Sequence, residues 1–245
     1  CGVASAISSG FGAPIAGLIF AHEVIVRHFS LKAIAPILIA SVVANTVSTE
    51  FYGSEPLFAV KIGGISEFYE ILPLIIVGIL SGLVASIYMR GLTGYLPIPK
   101  KIPTFLLPII AGIICCIVGL FVPEVLGLGS ETIRSLLVDE KTFTTLIILL
   151  VSKIVLTVVC IRFGLFGGIF SPALFIGAAL GCILAFFFKF FIPDANISLF
   201  AVAGMAAVTG SVIGGPISIM IIIFELTSDY QVALGAGISI CFANL

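Results

Sequence analysis

The chain has 245 residues, of which 60% are hydrophobic and 9% are charged, and its formal net charge is −1. Soluble domains carry about 25% charged residues, so this composition excludes an ordinary soluble domain and indicates a membrane protein. The near-zero net charge gives no reason to expect a nucleic-acid partner.

Uncharged apolar runs recur along the chain, each near or above the roughly 17 to 25 residues that cross a bilayer as a helix. Lipid cannot satisfy backbone polar groups, so such runs form helices. The sequence therefore predicts an all-α, multi-pass integral membrane protein surrounded by lipid. The predicted spans are Ala33 to Thr49, Ile71 to Met89, Ile102 to Pro123, Phe163 to Phe188, Ala195 to Phe224 and Tyr230 to Leu245.

Charged or turn-rich segments separate these runs and are predicted to be loops. The predicted loops are Arg27 to Lys32, Glu50 to Glu70, Arg90 to Pro103, Pro123 to Lys141 and Phe191 to Ile197. The chain starts at Cys1 without a Met and stops at Leu245 inside an apolar run, so we expect a fragment of a longer protein.

Glycine and proline interrupt three of the apolar stretches. Both residues release backbone groups inside the membrane, which is tolerated where that backbone is buried in protein or lines a cavity. Short, broken half-helices are therefore predicted. The interruptions lie at residues 10–14, 163–168 and 210–216.

A stretch near the amino end is repeated near the carboxyl end at a constant offset of 202 residues. Internal repeats with interrupted helices are typical of transporters and channels, whose sites lie near the midplane between the repeats. The sequence thus predicts a transport function. The matched pairs are Gly2 with Gly204, Ala4 with Ala206, Pro14 with Pro216 and Glu23 with Glu225.

Glu23 and Glu225 end their apolar segments, which favours a structural role over a conducting one. An ionisable residue in a membrane span is a functional candidate by default. Lys153 and Arg162 are two basic residues that could pair with these carboxylates or extend towards the membrane surface. The sequence does not distinguish these alternatives.

The chain offers few ligands for a metal or cofactor. Its six cysteines form no Cys-x-x-Cys pair and lie mostly in apolar runs, where they are interpreted as small packing residues. With two histidines and no carboxylate cluster, a zinc or calcium site has almost no ligands to draw on. No catalytic pair stands out, so the sequence favours neither an enzyme nor a cofactor.

Three ordered motifs, spread over nearly the whole chain, resemble the CLC family of chloride channels and chloride/proton antiporters. The family's G-x-F-x-P motif reads here Gly168-Ile169-Phe170-Ser171-Pro172. The stretch from Gly12 to Val24 resembles a segment of the first half, and a late segment is matched too. The late matches are Gly204, Met205, Ala207, Pro216, Glu225, Thr227, Tyr230 and Gln231.

The resemblance implies a CLC-type inverted repeat of broken, tilted helices, with residues 1–245 covering the end of the first half and most of the second. The family's early filter and gate loops would precede Cys1, and its last helix would follow Leu245. The implied function is chloride transport, with one pore in each subunit of a homodimer.

The resemblance places chloride on the backbone NH groups of Ile169 and Phe170, within the segment Gly168 to Pro172. Elementary chemistry supports this placement. Pro172 suits a first helical turn, glycine lets the backbone approach an ion, and helix-start NH groups attract anions. Conduction also requires binding weak enough to release the ion.

Position 24 separates two readings of the mechanism. Family antiporters commonly carry a second glutamate there for internal proton transfer, whereas this chain has Val24 after Glu23. Valine cannot carry a proton, which favours channel-like conduction. A proton-coupled antiporter for chloride or another halide remains the alternative, with nearby His22 as a possible carrier.

The resemblance also implies interface helices over Leu18 to Glu23, Ala33 to Thr49, Pro216 to Thr227 and Val232 to Leu245. Within them the expected dimer contacts are Ile19, Phe20, Ile219, Ile222 and Ile223. A cation-coupled transporter of another fold would share repeats and broken helices. It would need acidic side chains in its spans, and the uncharged runs offer few.

Overall fold

The computed structural model describes residues 1–53, 70–94, 103–138, 141–192 and 196–245. Every described element is helical, which confirms the predicted fold class. The α-helices are α1 Gly2–Phe11, α2 Pro14–Phe20, α3 Leu31–Tyr52, α4 Ile71–Thr93, α5 Leu107–Phe121, α6 Ser130–Val138, α7 Phe143–Arg162, α8 Phe170–Phe188, α9 Ile197–Ile213, α10 Pro216–Thr227 and α11 Tyr230–Ala243.

Within the described residues, five helices are long and apolar enough to cross a membrane. These are α3, α4, α7, α8, and α5 extended by the preceding turn from Thr104. The chain is therefore a multi-pass integral membrane protein. The apolar helices α9, α10 and α11, and α2 with its π-helical continuation, are shorter than a full span.

The predicted breaks in the apolar stretches are confirmed. Helix α1 ends before Gly12 (φ 65°) and α9 ends before Gly214 (φ 71°), a left-handed conformation that glycine adopts without steric cost. Helices α2 and α10 then begin with Pro14 and Pro216, whose fixed φ suits a first helical turn.

The repeat seen in the sequence is also a repeat of structure, with one inserted residue. A π-helical turn, Ala21–Val26, extends α2. Arg27, a non-glycine residue in the left-handed conformation, ends this element thirteen positions after Pro14. Ser228, in the same conformation, ends α10 twelve positions after Pro216. A π-turn accommodates one extra residue in a helix, so the register shifts only after the glutamates.

Two elements differ from the sequence prediction. Helix α7 was not among the predicted spans, because Lys153 interrupts its apolar run. Helix α6 lies inside the predicted loop from Pro123 to Lys141, where Ile133, Leu136 and Leu137 form a buried face. The predicted loops Glu50 to Glu70 and Arg90 to Pro103 fall largely outside the described residues, as do residues 193–195 of the predicted loop Phe191 to Ile197.

The packing centre is the contact between α8 and α9. A side chain at Gly177 or Gly181 would overlap backbone carbonyl groups of Gly204 and Phe200. Small residues four positions apart allow such close approach of membrane helices. Residues 173–185 of α8 are buried, so its amino end is held in a fixed position.

Candidate anion site

The segment Gly168 to Pro172 forms the amino end of α8. Helix α7 ends at Arg162, Gly164 adopts a positive φ of 85°, and non-helical backbone leads to Ile169, the residue preceding α8. The Ile169 carbonyl accepts the first helical bond, from the Ala173 NH at 3.1 Å. Pro172 occupies the first turn, where a missing NH has no cost.

Open space lies in front of this helix end. Gly167 and Gly168 are exposed, and no atom lies within 4 Å of the place where a Cβ would stand on either residue. The NH groups of a first helical turn have no acceptor within the helix, and the helix dipole makes this end positive. The end of α8 therefore presents donors without a cationic side chain.

A hydroxyl and a buried lysine hold the backbone beside the helix end. Ser171 Oγ donates to the Leu128 carbonyl at 2.8 Å. Lys153, 3% exposed, donates to the carbonyls of Val125 at 2.8 Å and Gly127 at 2.9 Å. Lys153 therefore follows neither alternative left open by the sequence, because its ammonium group donates to these two backbone carbonyls.

Phe170 joins the candidate site to the first repeat. Its ring centroid lies 4.9 Å from that of Phe11 on α1 and 6.2 Å from that of Phe20 on α2. Sequence reasoning missed Phe11, whose only signal was its position next to the break at Gly12. It assigned Phe20 to the dimer interface, yet that ring meets Phe170.

The two repeat-related glutamates make reciprocal contacts. The Ile217 and Ser218 NH groups donate to Glu23 at 3.1 and 2.7 Å, and the Ser218 hydroxyl donates to the same carboxylate. The Ile15 and Ala16 NH groups donate to Glu225 at 3.0 and 2.7 Å. Each carboxylate therefore caps the amino end of the half-helix in the other repeat.

Val24 and His22 flank Glu23. A Cβ on Gly215 would lie 2.6 Å from Val24 Cγ2, so the valine packs directly on the turn before α10. His22 is 1% exposed, with Nδ1 3.0 Å from the Leu18 carbonyl and its ring stacked on Phe29. Its Nε2 has no hydrogen-bond partner among the described residues.

The residues expected at the dimer interface are mostly buried within this chain. Four of the five are buried and Ile19 is partly exposed, so their place in an interface between subunits stays a prediction. On the same two helices, Ile15 and Ile217 are about half exposed and are related by the repeat. The four buried side chains are Phe20, Ile219, Ile222 and Ile223, with exposures of 7%, 0%, 0% and 1%.

The described part of the chain brings together no group of three or more His, Cys, Asp or Glu side chains that could hold a metal. An ion pair between Lys141 and Glu124, at 3.5 Å, joins two partly exposed side chains. Backbone donors, not side-chain ligands, are what this site offers to an ion.

A multi-pass helical membrane protein with repeats and broken helices has the architecture of ion channels and secondary transporters. The profile of the family described as "Voltage gated chloride channel" matches residues 1–245, and the chain belongs to this family, the CLC proteins. Family members are channels or transporters.

The chain is similar to several curated chloride channel proteins. It is 31% identical to chloride channel protein CLC-f of Arabidopsis thaliana, over 95% of this chain and 33% of that protein. It is 29% identical to a putative ClcB-like chloride channel protein of Ralstonia nicotianae, over 96% of this chain and 56% of the relative. The chain thus spans about a third to somewhat over half of their length.

Solved structures share the fold. A slow cyanobacterial Cl⁻/H⁺ antiporter superposes with a TM-score of 0.87 at 23% identity, covering 97% of this chain and 57% of that one. A CLC-type fluoride/proton antiporter gives a TM-score of 0.80 at 23% identity, covering 99% and 60%. These likenesses establish the CLC architecture for the described residues.

Proposed function

We propose that the protein containing this chain moves chloride across a membrane, and that the anion binds at the amino end of α8 during its passage. The observation that carries this proposal is the open, donor-rich helix end at Gly168 to Pro172, held beside Phe11 and Phe20 of the first repeat. The chloride channel relatives support the choice of anion.

The proposed ligands are the backbone NH groups of Ile169 and Phe170. They carry directed partial charge at the positive end of a helix dipole. Gly168 leaves room for the ion, Ser171 ties the turn to Leu128, and Pro172 starts the helix without an NH of its own. Partial charges hold an anion less tightly than a free ammonium group, which suits a site that must release it.

Channel-like conduction is the form of transport that we favour. The argument rests on Val24, which packs against Gly215 and has no proton to give or take. The proposed activity is therefore passive anion flow through a pore in each subunit, a transport activity and not an enzymatic one.

A proton-coupled antiporter for chloride or another halide is the second candidate. One observation favours it specifically: His22 is buried next to Glu23 and Val24, and its Nε2 has no partner in the described ranges. Imidazole is the side chain whose ordinary pKa lies nearest to neutral pH. Solved structures of the same fold include a Cl⁻/H⁺ antiporter and a fluoride/proton antiporter, which supports this alternative.

We further propose that two copies associate through the outer face of α2 and α10. This face presents Ile15 and Ile217, which the repeat relates to each other and which are 53% and 50% exposed. A two-fold interface pairs the same surface patch from both subunits. Here both repeats contribute a residue to that patch.

Chloride efflux from liposomes, recorded with a chloride electrode and a pH electrode together, tests the function. The full-length protein is used, under an imposed chloride gradient. We expect chloride to leave without stoichiometric proton movement. Uphill proton movement would show that the protein is an antiporter and not a channel. Absence of any anion flux would refute chloride transport.

A pair of glycine substitutions tests the site. Gly168→Leu places a side chain in the open space before α8, and we expect flux to fall about tenfold, equivalent to about 1.4 kcal/mol. Gly112→Leu is the matched control, because Gly112 on α5 is also exposed with no atom within 4 Å of its Cβ position. Equal flux in both variants would exclude anion passage at this helix end.

Subunit association is tested by fluorescence transfer between labelled subunits diluted in liposomes. We expect Ile15→Trp combined with Ile217→Trp to weaken association, because two indoles would disturb a self-complementary face. Ile147→Trp on α7, where the side chain is 40% exposed, is the control. Unchanged association in the double variant would place the interface elsewhere.

A further inference from the structure

The thiols of Cys115 on α5 and Cys160 on α7 lie in contact. Their Sγ atoms are 3.1 Å apart although the residues are 45 positions apart in sequence. Both cysteines are reduced and partly exposed. A disulfide has a sulfur–sulfur distance of about 2.05 Å, so joining them requires an approach of roughly 1 Å, within the reach of side-chain rotation.

The contact between the two thiols lies within the packing interface of α5 and α7. Leu107, Ala111 and Cys115 follow one another at four-residue spacing, and the first two are buried. Ile109, Ile113 and Ile117 on the other side of α5 are each more than half exposed. Cys115 therefore lies on the stripe by which α5 packs on α7.

We propose that Cys115 and Cys160 form a reversible disulfide when the protein meets a peroxide, and that this bond is a redox-controlled tie between α5 and α7. The packing role assigned to the cysteines by sequence describes the reduced form. Cys116, the next residue, is exposed on α5 and has no such neighbour in the described structure.

The chemistry balances with hydrogen peroxide as the two-electron oxidant. One cysteine, as its thiolate, attacks a peroxide oxygen; the O–O bond breaks, a sulfenic acid forms and hydroxide leaves, taking up the thiol's proton as water. The second thiol attacks the sulfenic sulfur, the S–S bond forms and a second water leaves. A dithiol reductant restores both thiols by exchange.

The tie would act on the segment that leads to the candidate anion site. Cys160 lies two residues before the end of α7, and the backbone then runs through Gly164 to Ile169. The Pro108 ring at the start of α5 already lies beside Gly164. A bond to α5 would restrain this connection, so we expect oxidation to slow anion flux; that consequence rests on the proposed transport function.

Mass spectrometry of the full-length protein in liposomes tests the bond itself. After hydrogen peroxide treatment and alkylation of remaining thiols, we expect a linked peptide containing Cys115 and Cys160, which dithiothreitol removes. Cys115→Ser and Cys160→Ser should each abolish it, and Cys116→Ser should retain it. Both thiols alkylated in the oxidised wild type would overturn the proposal.

Anion flux, measured on the same samples, tests the regulatory consequence. We expect at least a twofold slower flux after oxidation, reversed by dithiothreitol and absent in Cys115→Ser and Cys160→Ser. A linked peptide with unchanged flux would overturn the regulatory role. A linked peptide with no flux in either redox state would refute the transport function while leaving the disulfide site established.

Discussion

The Glu23 contact and the Glu225 contact are two versions of one interaction. In both, a carboxylate at the end of one repeat's half-helix accepts two backbone NH groups from the start of the other repeat's half-helix. Glu23 has a third donor, the Ser218 hydroxyl. The repeat places Ala16 at the position corresponding to Ser218, so Glu225 lacks this donor.

The difference shows which part of the contact the architecture needs. A two-fold relation between repeats makes each contact imply its counterpart, and the backbone NH donors, which among the substitutions only proline removes, are the shared part. The hydroxyl is an addition to one side. That side also carries the π-turn, which contains Val24, so the two repeats differ in structure next to the first glutamate.

Removal of either carboxylate should have the largest effect on stability. We expect Glu23→Ala to lower the free energy of unfolding by about 3 kcal/mol and Glu225→Ala by about 2 kcal/mol, because bonds to charged acceptors are the strong ones. The measurement is denaturant unfolding in detergent micelles.

Glu131→Ala is the control for these variants, because Glu131 is exposed on α6 and should change stability by less than about 0.5 kcal/mol. A larger loss from Glu225→Ala than from Glu23→Ala would contradict the ranking by number of donors.

Loss of the Ser218 hydroxyl should make the two contacts equal. We expect Ser218→Ala to cost about 1 kcal/mol, the usual net value of a buried hydrogen bond. In that background, Glu23→Ala should cost no more than Glu225→Ala does in the natural protein. Unfolding in the same micelles gives both values, and a persistent excess at Glu23 would mean that the hydroxyl is not the source of the asymmetry.

Addition of a hydroxyl at the repeat-related position should have the smallest effect. We expect Ala16→Ser to stabilise the protein by about 0.5 kcal/mol by giving Glu225 a third donor. Ala13→Ser is the control, because Ala13 is equally buried and its side chain does not occupy the position related to Ser218. Equal destabilisation by both would show that Glu225 cannot use the new hydroxyl.

The breaks in the fold could be predicted because they are local. Glycine at positions 12 and 214 and proline two residues later act through their own backbone preferences, and the offset of 202 identified their equivalence. Helix α7 was missed because a charge inside a span normally argues against it. The carbonyls that satisfy Lys153 come from a loop whose path depends on tertiary contacts.

The partners of the glutamates could not be predicted because they lie 194 to 210 positions away. Sequence reasoning offered side-chain cations as partners, yet backbone NH groups leave no mark in a sequence. The same limit applies to Phe11, whose contact with Phe170 depends on how the two repeats face each other. Burial of Ile219, Ile222 and Ile223 was missed because an apolar helix shows no polar face to orient it.

The most direct test of the central claim is bromide anomalous scattering from crystals of the full-length protein. Bromide substitutes for chloride and can be located without assuming a site. The account predicts an anomalous peak within hydrogen-bonding distance of the backbone nitrogens of Ile169 and Phe170. Bromide peaks elsewhere between the repeats, with none at the amino end of α8, would contradict it.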